Sequence, residues 1–122
     1  HAIGDQVLAV LSSMMRKRMR RIDLLGRYGG EEFAIVMPDT PVKAACRIVN
    51  DLRRQFGKIE HQAGARRFKV SFSAGVAGYP GYTTPQAMAR AADQALYRAK
   101  ASGRNRVCSA GDTVDTVDPT GK

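Results

Sequence analysis

The residues best equipped for chemistry lie in one run, Arg27-Tyr28-Gly29-Gly30-Glu31-Glu32-Phe33, where two glycines lead into two carboxylates between apolar stretches. Gly29 and Gly30 have no Cβ and tolerate positive φ, so they permit a tight turn and a close backbone approach to a bulky ligand. Glu31 and Glu32 at such a turn can hold a divalent cation, and a cation there can hold the phosphates of a nucleotide. The same residues would also suit an ordinary hairpin tip with solvated glutamates. The rest of the chain decides between the two.

Basic residues are the second resource. The net charge is +9, and five of the six residues from Arg16 to Arg21 are basic. Arg53, Arg54, Arg66, Arg67, Arg98, Lys100, Arg104 and Arg106 add to them. Such a balance favours anionic partners, whether nucleotide, nucleic acid or acidic lipid, although any single run also reads as a solvated helix face. The lack of Trp and the scarcity of aromatics among the basic residues argue against a stacking surface, so no nucleic-acid partner is expected.

At 122 residues the chain makes one domain or slightly less, and 43% hydrophobic content supports a modest core. Cys46 and Cys108 are isolated and lack metal-ligand spacing, so both are expected to be reduced thiols in the cytoplasm. No run has the length of a membrane span and no signal peptide opens the chain. No membrane contact is expected from this segment, although a longer parent could be membrane-anchored.

The elements that must position these groups follow from periodicity. Val7, Leu8, Leu11, Met14, Met15 and Met19 recur at helical spacing from Asp5 to about Arg21. Ile22 to Arg27 reads as a strand, Gly29-Gly30 as a turn and Phe33 to Met37 as the returning strand. A second helix is expected to start at Thr40-Pro41, with Thr40 as the cap, and to bury Val42, Ala45, Cys46, Val49, Leu52 and Phe56. Gly57 to Arg67 reads as a polar loop. Phe68 to Val76 alternates apolar and polar, as a half-buried strand does. Thr84-Pro85 repeats the helix-start signal, an Ala-rich helix runs to Ser102, and Gly103 suits the position beyond its end. Arg106 to Cys108 reads as a last short strand.

Four blocks then occur in one order: the Gly-Gly-Glu-Glu-Phe run, Val70-Ser71-Phe72-Ser73-Ala74-Gly75-Val76, Ala92-Asp93-Gln94-Ala95-Leu96-Tyr97-Arg98-Ala99-Lys100, and Gly103-Arg104-Asn105-Arg106. In that order they resemble the GGDEF domain, the catalytic domain of diguanylate cyclases, with Glu31 at the third position of the signature. The resemblance assigns 1–108 to that domain, and the polar stretch 109–122, which includes Pro119, is expected to be a flexible tail. It implies an α/β (α+β) fold of split-βαβ, ferredoxin- or palm-like type with a central antiparallel sheet, its first strand missing from this chain.

The resemblance also implies a reaction, the condensation of two GTP into cyclic di-GMP with release of two pyrophosphates between two facing domains, hence a homodimer. Glu31 takes the place of the family's Mg²⁺ ligand (Mn²⁺ suits the same oxygens) and of the group implicated in deprotonating the attacking hydroxyl. Glu32 becomes a supporting acidic group, and Gly29 and Gly30 let the backbone lie against the phosphates. Lys100 and Arg104 match positions that contact the terminal phosphates, and both would also favour a helix C-terminus electrostatically. His1-Ala2-Ile3-Gly4-Asp5 resembles the family segment whose aspartate accepts from the guanine edge. Read without the family, Asp5 suits a helix N-cap equally well.

Arg20-Arg21-Ile22-Asp23 fits the Arg-x-x-Asp pattern of an inhibitory product site, with Asp23 six residues before Gly29. Arg20 would grip phosphate or guanine of cyclic di-GMP while Asp23 accepts from the base. Arg47, Arg53 and Arg54 are candidates for a second basic wall. Ahead of the matched segment the family carries a strand with a second metal-ligating Asp, a Phe-Lys pair and a guanine-reading Asn. Without them the chain is expected to bind Mg²⁺–GTP poorly and to belong to a longer signalling protein. If it folds, a swapped segment or a partner's strand is expected to fill the gap. The rival readings are a non-catalytic receptor for cyclic di-GMP and a basic interaction domain with salt-dependent affinity for DNA.

Overall fold

The computed structural model describes residues 2–29, 32–110 and 116–117. Helix α1 (Ala2–Arg18) has Asp5 in its first turn and Arg16, Lys17 and Arg18 in its last, the arrangement that a helix dipole favours. Its apolar stripe meets helix α2 (Val42–Gly57), where Leu11 and Met15 are buried with Leu52 and Phe56. The helix stops before Arg21 because Asp23 intervenes. Its carboxylate accepts from the Arg20 backbone N–H at 2.7 Å, and its own N–H donates to the Arg20 carbonyl at 3.0 Å.

Strands β1 (Leu24–Gly29) and β2 (Glu32–Val36) form the expected antiparallel hairpin. Leu25, Phe33 and Ile35 pack on the α1–α2 core, while Leu24 and Val36 pair on the opposite, exposed face. The register runs from Leu24↔Val36 to Arg27↔Phe33, then slips to Gly29↔Glu32. This bulge sits beside the signature run, where a local kink re-aims the chain.

The second helix starts differently from the sequence expectation. Pro41 is the N-cap residue and makes no side-chain cap bond. Thr40 turns its hydroxyl elsewhere, donating to the Pro38 carbonyl at 2.9 Å and accepting from Arg20 at 2.8 Å. The other Thr-Pro pair behaves as expected. Thr84 Oγ1 accepts from the Ala87 N–H at 3.1 Å and Pro85 opens helix α3 (Pro85–Ala101).

The stretch expected to be a loop carries a small hairpin, β3 (His61–Ala63) with β4 (Arg66–Phe68). Gly64 at φ +62° makes its tight turn, and the His61 ring lies between Phe56 and Phe68 at centroid distances of 5.6 and 5.5 Å. The strand expected over Phe68 to Val76 is divided. Residues 69–73 pair with no strand among the described residues, and only β5 (Ala74–Val76) enters a ladder. The alternation survives the break, since Val70 and Phe72 still pack on the core.

Strand β5 runs parallel to β6 (Val107–Ser109), the two connected through α3, and β6 pairs antiparallel with β7 (Thr116–Val117). Close contact of β5 with α3 depends on Gly75, where a Cβ would collide with the Ala92 carbonyl oxygen and the Leu96 nitrogen. Ala91, Ala95 and Ala99 supply the small buried face that allows it. Cys46 and Cys108 are buried in two further core clusters. Ser109 thus belongs to a strand; of the expected tail, residues 111–115 and 118–122 lie outside the described residues. Among the described residues the strands form three separate sheets, and no helix is long and apolar enough to cross a membrane.

Candidate functional site

The hairpin carries the described residues of the signature run. Gly29 ends β1 and Glu32 opens β2 with an exposed side chain. Gly30 and Glu31, the latter expected as metal ligand and catalytic group, lie outside the described residues, as does His1. A divalent cation of this kind takes six or more oxygen ligands. Among the described residues no three His, Cys, Asp or Glu side chains gather to hold a metal, and Mg²⁺ with a nucleotide needs only one or two carboxylates, the phosphates and water completing its shell. Asp5 is exposed inside the first turn of α1, three positions after its first residue, so the N-cap alternative is set aside.

At the hairpin's entry the structure brings Arg20 and Asp23 together. Arg20 Nη2 donates to Asp23 Oδ1 at 2.8 Å and Nε reaches both carboxylate oxygens at 3.2 Å. The same Nη2 donates to the Pro38 carbonyl at 2.7 Å and to Thr40 Oγ1 at 2.8 Å. One guanidinium therefore ties the end of α1 to the turn that follows β2. The Asp23 side chain is 4% exposed and that of Arg20 49% exposed. The Arg20 hydrogen bonds hold the Asp23 carboxyl below its ordinary value and, in return, raise the Arg20 guanidinium above its own. The pair offers a fixed cationic fork with an exposed face, the shape that suits phosphate or a purine edge.

Lys100 and Arg104 stand at the other end of the molecule's chemistry, the C-terminal end of α3. Both are exposed. Three residues in succession have positive φ: Gly103 at +127°, Arg104 at +61° and Asn105 at +50°. The Arg104 N–H donates to the Ala99 carbonyl at 2.9 Å, closing the helix and turning the chain toward β6. Glycine is required at 103 by its φ of +127°; a Cβ there would also meet the end of the Arg106 side chain at 2.6 Å, a flexible group that could move aside.

Arg53 has to be removed from the candidate basic wall. It is 4% exposed and points into the molecule, donating from Nε to Asn50 Oδ1 at 2.8 Å and from Nη1 to Asn105 Oδ1 at 2.8 Å. Its position on α2 explains this, because it shares the buried face with Val49, Leu52 and Phe56. Burial, with Arg54 and Arg106 nearby, lowers its pKa. Arg47 and Arg54 remain exposed on the same helix. Sequence reasoning missed the roles of Asn50, Ser73, Asn105 and Thr40. The one available signal was a polar residue, Asn50, inside an otherwise apolar helical stripe.

Two cavities lie apart from these groups. One of about 240 Å³ is bounded by α1 and the β3–β4 hairpin and includes His61, whose buried Nε2 has no hydrogen-bond partner among the described residues. The other, about 350 Å³, lies between Val42 and the 78–82 loop. None of the described residues among the expected site residues lines either.

The chain matches the family model described as "Diguanylate cyclase, GGDEF domain" over residues 1–106. It is 36% identical over 107 residues to the diguanylate cyclase DgcP of Pseudomonas aeruginosa, covering 88% of this chain and 16% of that protein. It is 41% identical over 112 residues to the response regulator PleD of Caulobacter vibrioides, covering 88% and 24%. The chain thus spans a quarter or less of the length of these relatives. Among solved structures it resembles the active GGEEF domain of a diguanylate cyclase from Vibrio cholerae, with TM-score 0.76, 30% identity, and 93% and 72% of the two chains covered. The GGDEF domain of DgcB from Caulobacter crescentus in complex with cyclic di-GMP gives TM-score 0.78 at 25% identity, covering 89% and 66%. Fold, ordered motifs and relatives agree: this chain belongs to the GGDEF domain family of diguanylate cyclases.

Proposed function

We propose that this chain is the nucleotide-binding portion of a diguanylate cyclase that joins two GTP molecules into cyclic di-GMP. The observation that carries the reading is the family match across residues 1–106, with Gly29, Glu32 and Phe33 of the Gly-Gly-Glu-Glu-Phe run on the β1–β2 hairpin. In this reading Gly29 and Gly30 allow the backbone close to the phosphates, and Lys100 and Arg104 neutralise the terminal phosphates that leave as pyrophosphate. Asp5 accepts from guanine and Glu32 supports the acidic site. Glu31 is the residue we assign to Mg²⁺ or Mn²⁺; the bound cation would neutralise phosphate charge. Each site holds one GTP and two sites must face each other, so a homodimer, at least a transient one, belongs to the proposal.

The Arg20–Asp23 pair is our candidate for the inhibitory product site. It is supported by the fork geometry and by an anchor to Pro38 and Thr40 that holds the guanidinium before any ligand arrives. The same pre-arrangement favours a second reading, a receptor that binds cyclic di-GMP without making it. Preorganised groups lose less freedom on binding, so the pair serves either role. Cytoplasmic placement is part of the proposal for the signalling parent.

Calorimetric titration of the chain with cyclic di-GMP, beside GTP with Mg²⁺, tests both. Binding of both ligands, with conversion of GTP, supports the cyclase. Binding of cyclic di-GMP alone supports the receptor. Binding of neither refutes both for this chain.

A further inference from the structure

We propose that Arg53 is a positioning residue for the phosphate-contacting end of α3, acting through Asn105 to fix where Arg104 stands. The inference rests on the reading of Lys100 and Arg104 given above.

The Gly103–Asn105 turn needs outside support. Arg104 and Asn105 both occupy the left-handed region, at φ +61° and +50°. L-residues avoid that region unless the surroundings hold them there, arginine more strongly than asparagine. The surroundings here converge on Asn105. Arg53, 52 positions earlier in the chain, donates to both its side-chain oxygen at 2.8 Å and its backbone carbonyl at 3.3 Å. Ser73 Oγ accepts from the Asn105 N–H at 3.0 Å. Asn105 is thereby held through its amide, its carbonyl and its side chain, from α2 on one side and the segment before β5 on the other.

Arg53 is itself fixed. Asn50, one turn earlier on α2, accepts from its Nε at 2.8 Å, and both residues are buried. A long flexible side chain would be a poor clamp in water, but a buried guanidinium with its fork engaged has little rotamer freedom left. Among the described residues the exposed Arg104 side chain makes no comparable anchor, while its backbone carbonyl accepts from Arg106 Nε at 3.1 Å. Its orientation is therefore set by the backbone turn, and the turn is set by Arg53 and Ser73. Phosphate recognition by positioned cations is sensitive to such placement, because small displacements weaken short charge-assisted bonds.

The test uses inorganic tripolyphosphate, which calls on Lys100 and Arg104 without guanine or metal. Affinity is measured by calorimetry at constant ionic strength, with thermal melting alongside, for the unmodified chain and for Arg104→Ala, Arg53→Met, Arg53→Lys and Asn105→Gly. Glycine at 105 keeps the left-handed backbone accessible while removing the side chain that Arg53 holds, so this variant decides the question should Arg53→Met fail to fold. We expect Arg104→Ala to weaken binding about tenfold, the effect of one charge-assisted hydrogen bond. Arg53→Met and Asn105→Gly should each weaken it about threefold or more, and Arg53→Lys should recover part of that loss. Either change combined with Arg104→Ala should bind no more weakly than Arg104→Ala alone, since one effect acts through the other.

Two results would overturn the inference by different routes. Tripolyphosphate binding that is absent in the unmodified chain, or undiminished in Arg104→Ala, removes the phosphate-contact reading and this inference with it. Binding that falls in Arg104→Ala but stays unchanged in folded Arg53→Met and Asn105→Gly, or falls additively in the double variants, removes the positioning role alone.

Discussion

Arg20 and Arg53 each hold a side chain three positions away, Asp23 in one case and Asn50 in the other. Both also reach a distant backbone carbonyl, that of Pro38 or that of Asn105. Their surroundings differ. Arg20 is half exposed and faces a carboxylate, so the pair stays open to ligand, salt and pH. Arg53 is buried and fixed by Asn50 on its own helix, and the hydrogen bonds it makes to Asn105 knit α2 to the loop after α3. The first arrangement offers charge to a partner; the second spends its donors on the fold. In a chain with net charge +9, sign and spacing alone do not separate these two uses. Burial does.

The strongest test of this contrast is stability. Arg53→Met leaves the Asn50 and Asn105 oxygens without their donor and should lower the unfolding free energy by about 1–3 kcal/mol. Urea denaturation would show it, with Arg20→Met shifting the midpoint much less. Equal losses in the two variants would erase the distinction. Next in size is ligand binding. Arg20→Ala and Asp23→Ala should each weaken cyclic di-GMP binding about tenfold or more, as expected for losing a charge-assisted contact. Arg53→Met should leave that affinity within about twofold, because distant sites behave independently.

The two Thr-Pro helix starts sharpen the same point. Thr84→Ala removes a cap and should cost about 1 kcal/mol in thermal or urea unfolding. Thr40→Ala removes no cap, so it should cost less stability and instead loosen Arg20, weakening cyclic di-GMP binding. A larger stability loss at Thr40 than at Thr84 would contradict this assignment.

The smallest expected effect is in the pH dependence. The folded-state pKa of Asp23 lies below the ordinary 3.8, so its pairing with Arg20 stabilises the fold above that value. This contribution is lost as pH falls through the depressed value. In acid titrations of the denaturation midpoint, Asp23→Asn should flatten the decline below about pH 4 relative to the unmodified chain. A parallel decline in both proteins would mean that the pair contributes nothing to stability.

Local periodicity was a sound guide to much of this molecule. The amphipathic stripes of α1 and α2, the glycine-led hairpin and the Thr84 cap all follow from spacing and side-chain chemistry between near neighbours. The expectations that failed share a different cause. Thr40 satisfies a cap rule, yet its hydroxyl is engaged by Arg20, twenty positions away. The stretch around residue 64 is polar in composition but folds into a hairpin, because Phe56, His61 and Phe68 bring their rings together. Residues 69–73 alternate as a strand should, yet a ladder needs a partner, and none pairs with them among the described residues.

The candidate site divides along the same line. The sequence by itself determined the family, the signature run, the Arg20–Asp23 spacing and the placement of Lys100 and Arg104 at a helix end. Each of these depends on residue type and on separations of a few positions, which the chain's covalent geometry preserves. Only the tertiary structure decided that Arg53 faces inward rather than toward a ligand, and that Asn105 is gripped from both sides. It also decided that Gly75 is needed for α3 to lie against β5. Those facts depend on which surfaces meet after folding. A buried guanidinium and an exposed one carry the same letter, and only packing removes one of them from water.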